Sequence, residues 1–465
     1  MIKQLPDEAI DWLHDNRAFS AVITVFAIGQ LAIIAEIWTD PLIWDTAIYW
    51  GMGKALFSGN QVGLWEVFRP PFLPAVLGAL WKLGMPAEGF TRLLSLIISI
   101  TGLTGIYLML KDLASKKIAL YTASLTAASF TFVYYTNMLL TGITASFLVF
   151  TSLYLAAKNR MLLAGLVGGL AFLTRFPSAL VGPAAVIFIL YRYRGQLLKA
   201  VQKSALYSTG FFSLALSYMA ANKYFFGSFL EPFIRGFAIP ASTANTYLYG
   251  LFYFLNGVKI NPFLILMPLG LYIIVKRRKM ELYGFGAALV LFYGFFTLFP
   301  RKEVRFILLF LPLMALAAAQ GLNRVLSRVE VERKELAVLG LVFLVMLVGL
   351  SVTFGQKRGV NEDRVEYYRA HSGLEGVVAA NDASILPYGD IKYFPLPPAT
   401  LESSYDQARD RADYFSINSC AWYCTPGNND CKQEIREFEQ DLSMRYDSIY
   451  QNHGPNCNYT IYRVK

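Results

Sequence analysis

Asp45, Tyr49, Glu66 and Arg69 are the side chains in this sequence best suited to chemistry, and they share one polar stretch, residues 38–69. That stretch contains Trp44-Asp45-Thr46-Ala47-Ile48-Tyr49 and ends in Phe68-Arg69-Pro70-Pro71. A carboxylate held in a loop beside a cavity can take the proton of an attacking hydroxyl, which is general-base chemistry. Asp45 has a second reading, because an aspartate before a short helix satisfies free backbone N–H groups as an N-cap. The two roles are compatible. Asp40, just before Pro41, carries the same ambiguity, and Glu66 with Arg69 could form no more than a loop ion pair.

Two further groups are basic. Arg175 stands at the junction of Thr174 and Phe176-Pro177, where an arginine either binds an anion or snorkels from a helix end. Arg301-Lys302-Glu303-Val304-Arg305 puts three bases and one acid into five residues. Arg and Lys in such a cluster bind phosphate through charge-assisted hydrogen bonds, and anionic lipid headgroups are the plainer partner. Lys223, Glu231 and Arg235 read first as surface charges, with Glu231 kept as a candidate substrate contact.

The elements that must position these groups are membrane helices. The chain has 465 residues, 55% hydrophobic and 16% charged, with a mean hydropathy of +0.42, which excludes an ordinary soluble enzyme. Apolar runs at residues 18–37, 91–110, 118–136, 141–157, 161–174, 177–191, 204–221, 258–275, 281–299, 305–321 and 336–354 suit a hydrocarbon core of about 30 Å. These predict an all-α polytopic membrane bundle of about 11 helices. Residues 1–17 mix acids and bases with no cleavable signal pattern and predict a cytoplasmic surface helix leading into a retained first span. Alternate loops carry Lys111/Lys116/Lys117, Lys158/Arg160, Arg192/Arg194/Lys199/Lys203, Lys276-Arg277-Arg278-Lys279 and Arg324/Arg328/Arg333/Lys334. All five fall on one side, which the positive-inside rule makes cytoplasmic. Loops 38–69 and 222–257, the 300–304 turn and the tail from residue 355 then face outside. The net charge of +10 reflects loops facing anionic lipid and does not call for nucleic acid. The bases at 301–305 run against this bias, which is what lends the phosphate reading its weight.

Residues 70–84 are apolar but short and led by Pro70-Pro71, so a juxtamembrane or re-entrant helix beside a wet cavity is expected. The expected division is a transmembrane domain over residues 1–354 and a small α/β domain outside the membrane over 355–465. Within the latter, residues 376–382 and 413–417 read as strands, 430–445 as an amphipathic helix and 459–464 as a last strand. All four cysteines, Cys420, Cys424, Cys431 and Cys457, lie there. On an outside face they predict two disulfides with three connectivities open, and a four-cysteine zinc site is the rival. Asn458-Tyr459-Thr460 is a glycosylation sequon.

The order of these pieces resembles a known family. Asp45-x-x-x-Tyr49, Ala55-Leu56-Phe57-Ser58-Gly59 and Arg69-Pro70-Pro71-Phe72-Leu73-Pro74 with Gly84 resemble the first outside loop of the C-type (GT-C) glycosyltransferases. Leu173-Thr174-Arg175-Phe176-Pro177, Asn222-Lys223-Tyr224-Phe225-Phe226-Gly227-Ser228 and Glu303-Val304-Arg305-Phe306 with Leu311-Pro312-Leu313 are similar to later segments of the protein O-mannosyltransferase and lipid A aminoarabinose-transferase group, glycosyltransferase family 39-like. The resemblance spans roughly residues 20–350 and implies transfer of a sugar from a polyprenyl-phosphate donor to a protein, lipid or glycan acceptor at the outer face. It implies Asp45 as base, inversion at the anomeric carbon, and Arg175, Lys302 and Arg305 at the donor phosphate, with Tyr49, Glu66, Arg69, Arg301 and Glu231 as further substrate contacts. The chain departs from the family at Thr46 and at Leu140-Thr141-Gly142-Ile143-Thr144, where acids are common. A metal requirement is left open: no histidine lies in the spans or the outside loops between them. The competing class is a lipid-linked sugar flippase or transporter, which would explain the spans without the long first loop or the appended domain.

Overall fold

The computed structural model describes residues 16–42, 45–242, 250–276, 280–330, 334–357, 362–397, 401–422, 424, 429–454 and 457–464, with the side chains of 237–242 left aside. The expected N-terminal surface helix, Trp44, Arg277 to Lys279 and Arg333 lie outside the described residues. The chain forms two compact units. One comprises Met1–Glu36, Val67–Phe72 and Arg92–Gln356; the other comprises Ile37–Glu66, Leu73–Thr91 and Lys357–Lys465. This partition differs from a cut at residue 354, because the first loop and the following short helix group with the tail.

The first unit is a polytopic helical bundle. Among the described residues four helices are long and apolar enough to cross a membrane: Arg17–Glu36, Ala87–Leu113, Met280–Leu298 and Lys334–Gln356. The run at 204–221 lies within the continuous 30-residue helix Leu197–Phe226, and the remaining apolar runs are shorter or interrupted. Helices Thr141–Ala157 and Met161–Thr174 begin and end where their apolar runs do. The run at 118–136 is instead two helices, Lys116–Ala127 and Phe130–Tyr135, and the run at 258–275 breaks at Asn261-Pro262. The two breaks support each other. Asn261 Nδ2 donates to the Leu125 carbonyl at 2.8 Å, and Ser129 Oγ donates to the same carbonyl at 2.7 Å. Where no water is at hand, a carbonyl released from a helix needs such a partner.

Small residues let helices approach. Helix Met161–Thr174 crosses helix Leu197–Phe226 at Gly165 and Gly210. A Cβ on Gly165 would lie 2.0 Å from the Tyr207 carbonyl oxygen, and one on Gly210 would lie 2.2 Å from the Leu162 carbonyl oxygen. Neither carbonyl is the end of a flexible side chain, so the helices themselves must separate. Gly210→Val is therefore expected to destabilise the protein by about 3 kcal/mol or more. The check is thermal unfolding in detergent, with Gly182→Ala, which meets nothing within 4 Å, as the tolerated control. Equal stability of the two variants would contradict the crossing.

In the second unit, the 13-residue helix Asp45–Phe57 is buried at every position from Tyr49 to Ala55 and exposed at its end, Leu56 and Phe57. It packs on helix Phe72–Lys82, which at 11 residues rises only about 16 Å and cannot span a bilayer. Their backbones touch at a glycine pair, since a Cβ on Gly53 would sit 2.5 Å from Gly78 N and one on Gly78 would sit 2.5 Å from Gly53 O. Trp50 Nε1 donates to Thr91 Oγ1 at 2.7 Å and fixes the same helix to the start of helix Ala87–Leu113.

The tail folds as a five-stranded sheet with helices on both faces. Its strands are β1 (Glu375–Ala380), β2 (Asp390–Pro395), β3 (Tyr414–Asn418), β4 (Asp447–His453) and β5 (Asn458–Arg463), in the order β2-β1-β3-β5-β4. β1 is parallel to β2 and β3, whereas β5 is antiparallel to β3 and β4. Tyr367, Tyr368, Val378, Ile385, Ile391 and Ile461 fill one face; Phe415, Ile417, Leu401, Phe438 and Leu442 fill the other. The expected strands at 376–382, 413–417 and 459–464 and the helix at 430–445 are present within a residue or two. β2, β4 and helices Glu362–Arg369 and Leu401–Arg409 carry weaker patterns and appear only in the structure. The disulfides are Cys420–Cys457 and Cys424–Cys431, which replaces the zinc alternative and selects one of the three connectivities.

The edge strand β2 is covered by the first loop. Gly63 N donates to Ile391 O at 2.7 Å and Tyr393 N to Gly63 O at 3.1 Å, a parallel bridge that closes an edge otherwise open to other chains. Gly63 has φ +82°, and a Cβ there would lie 2.1 Å from Gly51 O, so only glycine fits.

One buried histidine makes this domain sensitive to acid. His371 is fully buried, with Nδ1 2.9 Å from Tyr367 O and Nε2 2.7 Å from Ser416 Oγ. A neutral ring fits, donating from Nδ1 and accepting at Nε2. Burial, partly offset by the neighbouring carbonyls, lowers its pKa to about 4. The unfolded chain titrates near 6.5, so between these values the unfolded state binds more protons. The stability is complete above about pH 6.5 and is lost as pH falls to about 4, amounting to about 3 kcal/mol. Thermal unfolding from pH 7 to 4.5 should show a shallower decline for His371→Gln than for the wild type, and identical slopes would contradict this.

Candidate active site

Asp45 is the first residue of helix Asp45–Phe57 and is only partly buried, in contrast to Thr46 and Ala47 after it. The start of a helix is where the macrodipole favours a negative charge. Tyr49, one turn on, is 4% exposed. Glu66 lies near enough to Tyr393 to act on its hydroxyl electrostatically. These three residues belong to the second unit, and the remaining candidates belong to the first.

In the first unit, Arg175 ends helix Met161–Thr174 with extended backbone, φ −156° and ψ 116°. The 3-10 turn Phe176–Leu180 follows, and Ser178 N donates to Arg175 O at 2.8 Å. Pro177, the second residue of that turn, cannot continue the helix, which is why the arginine sits at a corner. Its guanidinium carbon lies 5.2 Å from the centre of the Phe306 ring. A Cβ added to Gly142 would lie 2.9 Å from Arg175 Nη1 and 3.1 Å from Leu308 Cβ. Gly142 therefore provides clearance for the guanidinium between helix Thr141–Ala157 and the 3-10 turn Val304–Leu309. The position where the family often carries an acid is here a space for a base.

The 301–305 segment is a small charge cluster. Glu303 pairs with both Arg301 and Arg305 through their Nε atoms. Lys302 is 4% exposed, and its ammonium donates to the carbonyls of Phe296 at 2.9 Å, Thr297 at 2.7 Å and Phe299. Each of its three donors has a carbonyl at the end of helix Met280–Leu298. The structure thus gives Lys302 a capping role that its charge alone did not suggest. Burial pulls its pKa down. Tyr253, fully buried, lies within electrostatic reach of both Arg175 and Glu303. It was not singled out in the sequence, where it is one aromatic among Phe252-Tyr253-Phe254.

Arg69 stacks 5.5 Å from the centre of the Phe68 ring, and Glu231 pairs with Arg235 one turn along its helix at 2.6 Å. Arg175 and the 301–305 segment are thus brought together around Phe306, whereas Glu231 has a local partner. Among the described residues no three His, Cys, Asp or Glu side chains lie close enough to hold a metal ion.

Residues 69–364, well over half of the chain, match the Alg9-like mannosyltransferase family. The chain belongs to this family. As an Alg9-like mannosyltransferase family member it is a glycosyltransferase, and the GT-C kinship read from its motifs is borne out. The family stretch contains Arg69, Arg175, Glu231 and the 301–305 segment; Asp45 precedes it and the β-sheet follows it. No curated protein matches the chain. Among solved structures, ArnT from Cupriavidus metallidurans bound to undecaprenyl phosphate is similar over 95% of this chain and 98% of its own, with a TM-score of 0.66 and 12% identity. The oligosaccharyltransferase AglB from Archaeoglobus fulgidus, in complex with an inhibitory peptide and a dolichol-phosphate, is similar over 98% of this chain and 75% of its own, with a TM-score of 0.57 and 13% identity. At these identities the likeness is one of fold.

Proposed function

We propose that this glycosyltransferase moves a sugar from a polyprenyl-phosphate donor to an acceptor hydroxyl at the outer face of its membrane. Asp45 takes the hydroxyl proton as the new glycosidic bond forms, and attack from the face opposite the phosphate inverts the anomeric carbon. Arg175 and Arg305 hold the donor phosphate and stabilise the charge that grows on it as the bond to the sugar breaks. Lys302 supports them by fixing the turn. The prenyl chain stays in lipid, and the alternation of basic loops puts the first loop and the tail outside.

The observation that carries this reading is the meeting of Arg175 with Phe306 and Gly142, next to the Arg301–Glu303–Arg305 cluster, inside the stretch that matches the family. The test is to incubate purified protein with polyprenyl-phosphate sugars of different head groups and follow release of polyprenyl phosphate. Release from one donor, dependent on an acceptor, is expected. Passage of intact lipid-linked sugar across vesicles with no release would mark a flippase.

A further inference from the structure

Lys54 is a charge where none is needed for packing. It lies in the buried helix Asp45–Phe57 with its side chain 3% exposed. Burying an ammonium costs several kcal/mol unless it is paired and hydrogen-bonded. Its partners come from one turn of the tail: Nζ donates to Gly389 O at 2.9 Å and Pro387 O at 3.3 Å, and pairs with Asp390 Oδ1 at 3.2 Å. Asp390 in turn accepts from Trp81 Nε1 at 3.2 Å, and the Lys54 ammonium lies 6.0 Å from the Trp81 ring centre. Burial lowers the lysine pKa, with Asp390 opposing it.

The same turn also holds the other side of Asp45. Tyr388 OH accepts from Leu42 N at 3.2 Å, three residues before Asp45. Leu386, just before the turn, covers the helix face at Gly51, where an added Cβ would lie 2.6 Å from its Cδ1. Asp45 is therefore bracketed by two anchors, Leu42 and Lys54, tied to residues 386–390. From Lys54 back to Asp45 is two and a half helical turns, roughly 13 Å of rigid helix. A small rotation at Lys54 is carried to the carboxylate.

We propose that residues 387–390 of the C-terminal domain position Asp45 for the transfer reaction, with Lys54 and Tyr388 as the positioning residues. This rests on the reading of Asp45 as the base. The tail on this view is a part of the catalytic apparatus and not an appended acceptor-binding module. A purely structural clamp could be met by an apolar side chain of similar volume, often at no cost in stability. The ion pair instead fixes one register of helix against turn.

The experiment is steady-state kinetics on the full-length protein carrying Lys54→Met, Tyr388→Phe and Asp390→Asn, each alone and on an Asp45→Asn background. Misplacing a reacting group by about 1 Å costs about 100-fold, so Lys54→Met should lower kcat by about that factor with donor KM unchanged. Tyr388→Phe and Asp390→Asn should lower kcat in the same direction by less. On the Asp45→Asn background none of the three should lower the residual rate further, because groups acting through one another are not additive. If Lys54→Met is not recovered folded, Tyr388→Phe and Asp390→Asn decide, since the Asp390 side chain is 62% exposed. A wild-type kcat in these variants, or an equal further loss on the Asp45→Asn background, overturns the proposal. Full transfer by Asp45→Asn itself removes the base assignment, and the proposal with it.

Discussion

Asp45→Asn is expected to insert and fold normally and to lower sugar transfer by about 10²- to 10⁴-fold, the range associated with loss of a general base. The substitution separates the two roles that the sequence leaves overlapping. Asparagine caps a helix about as well as aspartate, so the start of helix Asp45–Phe57 should keep its stability. It cannot take a proton from a hydroxyl. Asp45→Ala would remove both cap and base, with about 1 kcal/mol lost in stability as well. A variant that melts like the wild type yet transfers no sugar assigns the base. A variant with near wild-type turnover leaves Asp45 as a cap only.

The second large effect is expected at Arg175. Arg175→Ala should lower kcat/KM for the donor by about 10²- to 10³-fold, the scale for removing one donor that stabilises transition-state charge. The acceptor KM should move little. Arg175→Lys should recover only part of the loss, because a lysine keeps the charge but not the planar fork that matches a phosphate. Gly142→Ala should reproduce part of the loss with Arg175 intact, since its Cβ would press within 2.9 Å of Nη1. Steady-state kinetics with donor and acceptor varied separately decides this. Equal losses for donor and acceptor would count against a phosphate role.

Much of the bundle was legible because apolar length is a coarse and robust signal. Thr141–Ala157 and Met161–Thr174 are bounded by the residues that limit their apolar runs. The breaks at Ser129 and Asn261 were not legible. A lone serine inside an apolar run looks tolerable, and the shared Leu125 carbonyl ties its break to the one at Asn261-Pro262, where the proline itself cannot continue the helix. In the tail, short apolar runs marked β1 and β3, and an alternating one marked β5. β4 is mostly exposed, with no clear alternation, and β2 gains meaning only from Gly63 of the first loop.

At the site, charge against the expected pattern picked out Arg175 and the 301–305 segment. At Lys302 charge alone cannot tell a ligand-binding ammonium from one that caps carbonyls, and the structure shows it donating to three of them. Lys54 gave a signal that went unread, a single base amid Gly51-Met52-Gly53 and Ala55-Leu56-Phe57. Its meaning lies more than 330 residues away, in carbonyls no local pattern connects to it. The cysteine pairing was open for the same reason, as spacing alone does not choose among three connectivities.

The most direct test is a single-turnover assay with purified wild-type and Asp45→Asn protein, each preloaded with the donor released by the wild type and then mixed with acceptor. The expected result is a burst of polyprenyl phosphate and inverted glycoside from the wild type, with equal donor loading but no burst from Asp45→Asn. Bursts of equal size and rate from both proteins would contradict transfer driven by Asp45.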